Sequence, residues 1–323
     1  MPAKRKSASK LPPPVGVVGL GLMGSSIAAC LLAAGHPVAG VALTPREAAA
    51  GRRRVRRHLE ELRREKLLKG SVAGAMKRLT ASADYATLKD AVFVIESIVE
   101  NLAAKRKVLQ GVEAVVAPGA LIGSNTSALP ISVLQAACKR PGRVLGIHWA
   151  EPAHITRFME IVCGDKTRLA CARKAVALAE GWGKEPSLLK RDIRGFIANR
   201  CMYACFREAF HLVESGYCTI EDVDRSLRND VGWWMTFAGP FRYMDLTGVP
   251  AYAAVMKDLW PTLSRRASVP KLIRRVVRAG GKGVANGRGF YRYTRKEARA
   301  WEAAFWRFNC EIRKLALKYG EKR

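Results

Sequence analysis

The sequence predicts an α/β domain built on a parallel sheet, followed by an all-α domain. Short apolar runs, such as Val15–Val18, alternate with helical patterns up to about residue 190, and this alternation is typical of βαβ units. From Gly195 onward the patterns are almost all helical, and the length of 323 residues is that of two domains. We expect a disordered basic tail over residues 1–14, an α/β domain over 15–191 and a helical domain over 192–323.

The expected elements follow from apolar periodicity and from the glycines and prolines that interrupt it. Strands are predicted at residues 15–18, 37–43, 91–98, 120–123, 144–148 and 159–162. In the first domain, helices are predicted at residues 25–34, 46–79 with a break near Gly70, 102–116 and 131–138. In the second domain, helices are predicted at residues 196–216, 219–227, 252–263, 270–279 and 296–319.

The chain is strongly basic, with 56 lysines and arginines against 27 acidic residues and a net charge of +29. Such a charge attracts polyanions, including nucleic acid, anionic lipid and phosphorylated ligands. The basic residues are spread over the whole length, and their densest group, from Arg52 to Arg64, lies on a predicted helix. A solvated helix face is the default explanation of such a group.

Nothing in the sequence predicts a membrane partner or a secreted protein. No uncharged apolar run reaches the roughly 18 residues that a membrane span needs, and the basic start lacks the apolar stretch of a secretory signal. The eight cysteines form no CxxC pair, which argues against a finger-like metal site. Because free thiols suit a reducing compartment, we expect a cytoplasmic protein with no bound metal.

A glycine-rich loop follows the first predicted strand. Gly19, Gly21 and Gly24 have the G-x-G-x-x-G spacing, and the next residues open a helix. In a Rossmann domain the first glycine makes a tight turn, the second lets the backbone approach a pyrophosphate, and the third lets helix pack on strand. The helix N-terminus then binds the phosphates. We therefore expect a bound dinucleotide, with Leu22 and Met23 beside it.

The end of the second predicted strand bears on the choice between NAD and NADP. An acidic residue about 20 positions after the glycine loop binds the ribose hydroxyls in NAD-specific domains. Here that position is Ala42, the nearest acid is Glu47, which is expected inside the next helix, and Arg46 lies close by. NAD is the expected cofactor, and NADP stays open.

Six further segments follow the glycine loop in a fixed order. They are ESIVENLAAKRKVL (96–109), GSNTSALPIS (123–132), GIHWAEPAHITRFMEIV (146–162), GFIANR (195–200), GPFRYMDLTG (239–248) and GKGVANGRGFYRY (281–293). Over roughly residues 15 to 293 this order resembles the 3-hydroxyacyl-CoA dehydrogenase family. The resemblance implies an NAD-dependent oxidation of a 3-hydroxy group, with fatty-acid metabolism as its setting. It also implies a homodimer formed through the helical domain.

The resemblance also implies the residues of the active site. His148 matches the family's catalytic histidine and Glu160 the carboxylate that pairs with it, while Ser127 and Asn199 match residues near the substrate oxygen. The positions that match contacts to the nicotinamide half of the cofactor are Glu100, Lys105 and Asn125.

The chemistry of these side chains fits that reaction. Removing a hydride from an alcohol carbon requires a base for the hydroxyl proton, and imidazole is suited to that role near neutral pH. A paired carboxylate orients the ring, and polar groups hold the oxygen as a carbonyl develops. One departure from the family is Glu151, which stands where an asparagine is usual, three residues after His148.

Three functions remain open on this sequence. The first is a dehydrogenase of 3-hydroxyacyl-CoA thioesters, and the second is a dehydrogenase of a small 3-hydroxy acid without CoA, as in relatives that act on gulonate or carnitine. The third is a basic, inactive Rossmann-like protein that binds nucleic acid. The third fits the charge but leaves His148, Glu160, Ser127 and Asn199 unexplained, so we expect an enzyme without a nucleic-acid partner.

Overall fold

The protein is described here by a computed structural model that covers residues 11–319. The chain divides after Ile197 into two compact units. Residues 1–10 of the predicted tail lie outside the described residues. Pro13 and Pro14 are attached to the sheet unit, because their carbonyls accept hydrogen bonds from His36 Nδ1 at 2.7 Å and from Val92 N at 3.0 Å. The predicted domain boundary after residue 191 stays a prediction.

The first unit is built on an eight-stranded sheet in the order β3-β2-β1-β4-β5-β6-β7-β8. Its strands are β1 (Val15–Val18), β2 (Val38–Val41), β3 (Leu79–Ser82), β4 (Phe93–Glu96), β5 (Leu121–Ser124), β6 (Val144–Trp149), β7 (Phe158–Cys163) and β8 (Glu185–Leu189). Neighbouring strands are parallel except β6 and β7, which are antiparallel. The strand order reverses between β1 and β4, which makes a crevice at their carboxyl ends.

The helices of the first unit connect these strands. They are α1 (Leu22–Ala33), α2 (Pro45–Arg64), α3 (Val72–Met76), α4 (Leu102–Val115), α5 (Ile131–Gln135) and α6 (Leu169–Gly181). Two short 3-10 turns lie at Tyr85–Leu88 and Pro141–Arg143. The predicted α/β class of this unit is thereby confirmed.

Two strands at the edges of the sheet correct the sequence prediction. Residues 46–79 are predicted to be helical with a break near Gly70, but the structure has α2 and α3 in that segment and begins β3 at Leu79. Neither β3 nor β8 is predicted from the sequence. Edge strands bury few side chains, and in β3 only Leu79 is fully buried. Pro186 also makes β8 hard to predict, because a proline in a short run argues against a strand, although it is tolerated in an edge strand.

The core of the first unit lies on both faces of the sheet. On one face, Leu109 and Val112 of α4 pack with Ile131 of α5 against Val94 and Ile122. These five side chains are fully buried, and burying each contributes about 1.5–3 kcal/mol. Helix α1 covers the other face of the sheet, with Gly24 close to the side chain of Val17 in β1. This packing fixes the carboxyl ends of the central strands.

The second unit is helical in the part that the structure describes, as predicted. Its helices are α7 (Ala198–Glu214), α8 (Ile220–Asn229), α9 (Val231–Met235), α10 (Pro240–Thr247), α11 (Val249–Leu259), α12 (Lys271–Arg278) and α13 (Arg295–Tyr319). A 3-10 turn follows α11 at Trp260–Thr262. Among residues 11–319, none of the helices combines the length and apolar character that crossing a lipid bilayer requires.

Candidate active site

The glycine loop joins β1 to α1 and is shaped for a phosphate. Gly19 has a φ of +93°, which side chains other than glycine rarely adopt. A Cβ on Gly24 would overlap the carbonyl oxygen of Gly19, so α1 packs against the turn only because residue 24 is glycine. A Cβ on Gly21 would meet nothing within 4 Å. The loop is therefore closed on the protein side and open above Gly21.

The open side of the loop fits the pyrophosphate of a dinucleotide. Gly21 is the N-cap of α1 and has no side chain to occupy the first N–H groups of the helix. These groups and the helix dipole favour an anion. Leu22 is 60% exposed and Met23 is half-buried, so both flank the loop at its surface. The geometry thus fits the residues that the sequence predicts for cofactor binding.

Helix α2 supports the loop from the side. The guanidinium of Arg54 donates two hydrogen bonds to the carbonyl of Leu20, at 3.2 and 2.7 Å. Gly51 lets the helix approach closely, because a Cβ there would lie 2.5 Å from Leu20 Cβ. The position of the phosphate loop therefore depends on α2 as well as on β1.

The end of β2 carries no acid at the ribose position. Ala42 is buried directly after β2, and Thr44 caps the next helix by accepting a hydrogen bond from Glu47 N at 3.2 Å. Glu47 therefore lies within α2, as expected, and Arg46 is exposed in the first turn of that helix. The segment after β2 therefore offers an exposed arginine in place of the acid that binds the ribose hydroxyls in NAD-specific domains.

A buried ion-pair network lies behind the crevice. Glu96, the last residue of β4, is fully buried and accepts hydrogen bonds from Lys105 Nζ at 2.6 Å, from Ser124 Oγ at 2.5 Å and from Ile98 N at 2.7 Å. Lys105 is itself buried and lies 3.3 Å from the carboxylate of Glu100. Because a buried charge is costly without partners, this network holds the ends of β4 and β5 in one arrangement.

Glu100 connects this network to the loop after β5. Its carboxylate accepts hydrogen bonds from Thr126 Oγ1, from Ser127 N at 3.3 Å and from Ala128 N at 3.2 Å. Burial raises the pKa of Glu100, but the Thr126 hydrogen bond and the positive charge of Lys105 outweigh it and lower the pKa below its usual range. Glu100 is thus an ionised anchor for the segment that carries Ser127.

Asn125 joins three strands at the same edge of the sheet. Its side chain donates to Ser97 Oγ at 3.1 Å, after β4, and accepts from the backbone N of Trp149, in β6, at 3.0 Å. Its own backbone N donates to the carbonyl of Glu96 at 2.8 Å. The predicted cofactor residues Glu100, Lys105 and Asn125 therefore lie in one bonded network at the crevice.

His148 and Glu160 form a buried pair on neighbouring strands. The antiparallel register of β6 and β7 sets them directly opposite each other, and His148 Nδ1 lies 2.7 Å from a carboxylate oxygen of Glu160. The second oxygen accepts a hydrogen bond from Ile197 N at 2.9 Å. Phe158 and Phe196 contact the imidazole ring, with centroids 5.4 and 5.6 Å away. These contacts hold the ring in place through Nδ1 and the two aromatic neighbours, and Nε2 is the second ring nitrogen.

Three other residues stand at different places. Ser127 is exposed in the loop after β5, and Glu151 is exposed in the loop after β6. Asn199 lies in the first turn of α7 and belongs to the second unit. The structure thus brings His148 and Glu160 together in the first unit, while the role of Asn199 stays a prediction.

Sequence reasoning missed the part that Glu96 plays. It named Glu100 and Lys105 as cofactor contacts, which stays a prediction, but it did not name Glu96, the buried partner of Lys105. A signal was present, because an acid at the end of an apolar strand must find a cationic or hydrogen-bonding partner. Lys105 is nine residues farther along the chain, in the first turns of α4.

Comparison with known families covers most of the chain. Residues 14–193 match the family description "3-hydroxyacyl-CoA dehydrogenase, NAD binding domain". Residues 195–293 match "3-hydroxyacyl-CoA dehydrogenase, C-terminal domain". The prediction of an NAD-binding Rossmann domain followed by a helical domain is confirmed by these two matches.

Two relatives align with this chain over nearly their full lengths. A 5-formyl-3-hydroxy-2-methylpyridine 4-carboxylate 5-dehydrogenase of Mesorhizobium japonicum is 30% identical over 304 residues, which is 93% of this chain and 97% of that protein. A 3-hydroxybutyryl-CoA dehydrogenase of Mycobacterium tuberculosis is 34% identical over 284 residues, with coverages of 86% and 98%.

Solved structures agree with these relatives. The crystal structure of a 5-formyl-3-hydroxy-2-methylpyridine 4-carboxylic acid 5-dehydrogenase, described as an NAD⁺-dependent dismutase, has a TM-score of 0.87, 30% identity and coverages of 94% and 98%. That of the (S)-3-hydroxybutyryl-CoA dehydrogenase of Ralstonia eutropha has a TM-score of 0.73, 29% identity and coverages of 87% and 99%. The expectation of an NAD-dependent dehydrogenase is confirmed by these similarities, and the chain belongs to the 3-hydroxyacyl-CoA dehydrogenase family.

Proposed function

We propose that this protein oxidises the hydroxyl group of a 3-hydroxyacyl-CoA thioester, or reduces the matching 3-oxo thioester, with His148 as the acid-base residue. The observation that carries this proposal is the His148–Glu160 pair, held at 2.7 Å by the register of β6 and β7. A base with a fixed ring and a paired carboxylate is what removal of a hydroxyl proton requires.

The reaction divides between the chain and its cofactor. When bound, NAD supplies the hydride acceptor. His148 Nε2 takes the hydroxyl proton as the C–H bond breaks, so the alcohol becomes a carbonyl and the imidazole becomes an imidazolium. Glu160 stabilises that positive charge through Nδ1 and prevents the ring from turning. In the reverse direction, the imidazolium returns the proton to the carbonyl oxygen.

The resemblance to the family implies roles for two further side chains. It assigns Ser127, in the loop after β5, and Asn199, in the first turn of α7, to positions near the substrate oxygen. The backbone of Ser127 is positioned by Glu100 at 3.3 Å, which gives its exposed hydroxyl a defined place. Hydrogen-bond donors set in place before the reaction stabilise a developing carbonyl oxygen without reorganising.

The cofactor is held at the other end of the crevice. Gly19, Gly21 and Gly24 form the phosphate cradle with the N-terminus of α1, and Leu22 and Met23 flank it. Arg46 would lie near the adenine ribose of the bound cofactor, since Ala42 stands at the position of the usual acid. We infer that NAD binds with only weak preference over NADP. Glu100, Lys105 and Asn125 position the nicotinamide half through their bonded network.

The alternative substrate is a small acid without CoA. The Mesorhizobium relative supports it, because the substrate in that enzyme's name is a pyridine carboxylate and the similarity covers 93% of this chain. A CoA thioester as substrate is supported by 3-hydroxybutyryl-CoA dehydrogenases that are 32% and 34% identical to this chain. It is also supported by the exposed arginines of α2, since CoA carries phosphates that arginine binds well.

A substrate panel separates the two. Initial rates with NAD are measured for (S)-3-hydroxybutyryl-CoA, for free 3-hydroxybutyrate and for 5-formyl-3-hydroxy-2-methylpyridine 4-carboxylate, with a His148→Ala variant as the blank. We expect kcat/KM for the thioester to exceed the others by at least about 100-fold, or roughly 2.7 kcal/mol. The opposite ranking would replace CoA with the small acid.

We also propose that two copies associate through the helical unit. That unit exposes large aromatic side chains, among them Trp233, Phe237, Phe241 and Trp301. Exposed apolar surface of this kind marks association sites more often than free surface. Light scattering coupled to gel filtration gives the mass directly, and a monomer at micromolar concentration contradicts the proposal.

A further inference from the structure

Two histidines and a glutamate meet on the first unit, apart from the His148–Glu160 pair. His58 and Glu61 lie one turn apart on α2, and His154 comes from the loop between β6 and β7. One oxygen of Glu61 lies 2.9 Å from His58 Nδ1 and 3.1 Å from His154 Nε2. The two rings face each other, with centroids 4.4 Å apart.

The cluster is mostly shielded from solvent. The side chain of His154 is 1% exposed, and those of His58 and Glu61 are 15% and 17% exposed. Three donors of this type, all within 4.8 Å of one another, occur as a single group among the side chains that the structure describes. A shielded set of converging nitrogen and oxygen donors is more specific than a surface group of acids.

The far side of each imidazole is held by a serine of α1. Ser26 Oγ lies 2.7 Å from His154 Nδ1, and Ser25 Oγ lies 3.4 Å from His58 Nε2. Histidines that bind metals usually have their second ring nitrogen hydrogen-bonded in this way, which fixes the ring and its tautomer. The orientation of both rings toward one point is therefore built into α1.

The loop that carries His154 is fixed as well. Its backbone N donates to Ser26 Oγ at 3.1 Å. Buried Lys184 donates hydrogen bonds to the carbonyls of Ala153 and Thr156, on either side of His154. A ligand on a fixed loop gives up little conformational entropy when it binds an ion.

The donor spacing is close to that of a tetrahedral ion. With metal–nitrogen and metal–oxygen bonds of about 2.0–2.2 Å, ligand atoms around such an ion lie about 3.3 Å apart. The distances from the Glu61 oxygen to His58 Nδ1 and His154 Nε2, at 2.9 and 3.1 Å, are a few tenths of an ångström shorter. The two ligand nitrogens lie within 4.8 Å of each other. Small side-chain shifts therefore admit an ion between the three donors, and two imidazoles with one carboxylate are the donor set of many zinc sites.

We propose that His58, Glu61 and His154 bind a divalent transition-metal ion, with zinc as the best match to the donor set. The ion joins α2 and the loop after β6, and through the two serines it fixes the start of α1 next to the glycine loop. Its role is to hold together the elements around the cofactor cradle, and it takes no part in hydride transfer. The sequence predicts no metal, because its cysteines and histidines lack the close spacing of finger-like sites, and His154 is 93 residues from Glu61.

Zinc binding is tested on the full chain without an affinity tag, after removal of metals with a chelator. Zinc is titrated by calorimetry, and Co²⁺ is added to a second sample, because a tetrahedral cobalt site with nitrogen ligands absorbs visible light. We expect one zinc per chain, visible cobalt bands, and a rise in melting temperature with zinc, since an ion that binds the folded state stabilises it.

Three variants locate the site. Glu61→Gln preserves the size of the side chain and its ability to hydrogen-bond, and His154→Asn removes one ring nitrogen ligand. Each should weaken zinc binding by at least about 100-fold, because a site loses most of its affinity with one of three ligands. His211→Gln is the matched control, because His211 lies on α7 in the second unit, and it should bind zinc as the wild type does.

The controls keep the test decisive. Circular dichroism and a single cooperative unfolding transition show that each variant is folded. A folded Glu61→Gln variant that binds zinc with wild-type affinity overturns the proposal, and so does a wild-type chain whose melting temperature and cobalt spectrum do not change. The substrate panel does not depend on this result, so failure here leaves the proposed reaction standing.

Discussion

The central strands β4, β6 and β7 and helix α2 contribute to the same cofactor region in different ways. On the central strands, His148, Glu160 and Glu96 are buried. The register of β6 and β7 pairs the first two, and Glu96 forms an ion pair with Lys105. On α2, the residues of the basic group mostly point outward, and Arg53 and Arg57 are exposed. The helix touches the phosphate loop mainly through Arg54 and Gly51.

This difference assigns proton transfer to the buried residues of the sheet and ligand attraction to the exposed arginines of α2. A side chain fixed by neighbours on several strands keeps one geometry through the reaction, which is what a proton-transfer group needs. Exposed arginines act over longer distances and are screened by salt. We therefore expect substitutions of these buried residues on the central strands to lower kcat, and substitutions on α2 to change cofactor or substrate affinity.

Apart from His148 itself, the residue with the largest expected effect on kcat is Glu160. Glu160→Gln preserves the size of the side chain but removes the charge that stabilises the imidazolium, so kcat should fall by about 10- to 100-fold. The pH profile of kcat should change as well, which a purely structural loss would not cause. Glu185→Gln, an exposed glutamate on β8, is the control. If Glu160→Gln and Glu185→Gln have the same kcat, the charge of Glu160 has no part in proton transfer.

The glycine loop allows structure and binding to be separated at two positions. Gly21→Ala adds a methyl group to open space, so the melting temperature should stay within about 2 °C of the wild type, while NADH affinity falls about tenfold. Gly24→Ala forces α1 away from Gly19 and should lower the melting temperature by several degrees. Fluorescence titration and thermal unfolding measure both. Equal effects of the two variants would mean that the open side of the loop is not the phosphate site.

Helix α2 should influence the choice of cofactor through Arg46. The wild type should prefer NADH to NADPH by less than about 100-fold, or 2.7 kcal/mol. Arg46→Glu should weaken NADPH by about tenfold and NADH much less, because only NADPH carries the 2′-phosphate. Affinities for both reduced cofactors are compared by fluorescence. A strong NADH preference in the wild type would mean that another residue binds the ribose hydroxyls.

The smallest effect is expected on the outer face of α2. Reversing the charge at Arg53 and Arg57 should raise KM for a 3-oxoacyl-CoA by a few-fold at low salt, with kcat nearly unchanged. Salt from about 50 to 500 mM should raise the wild-type KM for the same reason, since screening weakens the attraction to CoA phosphates. An uncharged pantetheine thioester is the matched substrate, and an equal response to salt would show that α2 is only a solvated surface.

The fold was largely predictable because the central strands are buried on both faces. Apolar runs such as Phe93–Glu96 stand out between helical patterns. The edge strands β3 and β8 escaped prediction, because one side of an edge strand pairs with nothing and few of its side chains are buried. Local apolar pattern therefore reports the middle of a sheet better than its margins.

The candidate site shows the same contrast at the level of residues. Glu160 lies twelve residues after His148, and an antiparallel pair of strands brings them face to face, so a local motif contained both partners. The cluster of His58, Glu61 and His154 joins a helix to a distant loop, and no pattern in the sequence links them. Such a contact depends on how helices pack on the sheet, which motif spacing does not report.

The central claim is that His148 removes the substrate proton, and a single-turnover experiment tests it most directly. Enzyme is mixed with NAD and (S)-3-hydroxybutyryl-CoA, NADH formation is followed by absorbance, and NAD affinity is measured on the same sample. His148→Ala should slow the hydride-transfer step by at least about 100-fold while NAD affinity changes less than about twofold. His211→Ala should behave as the wild type does. Hydride transfer at a near wild-type rate in His148→Ala would contradict the claim.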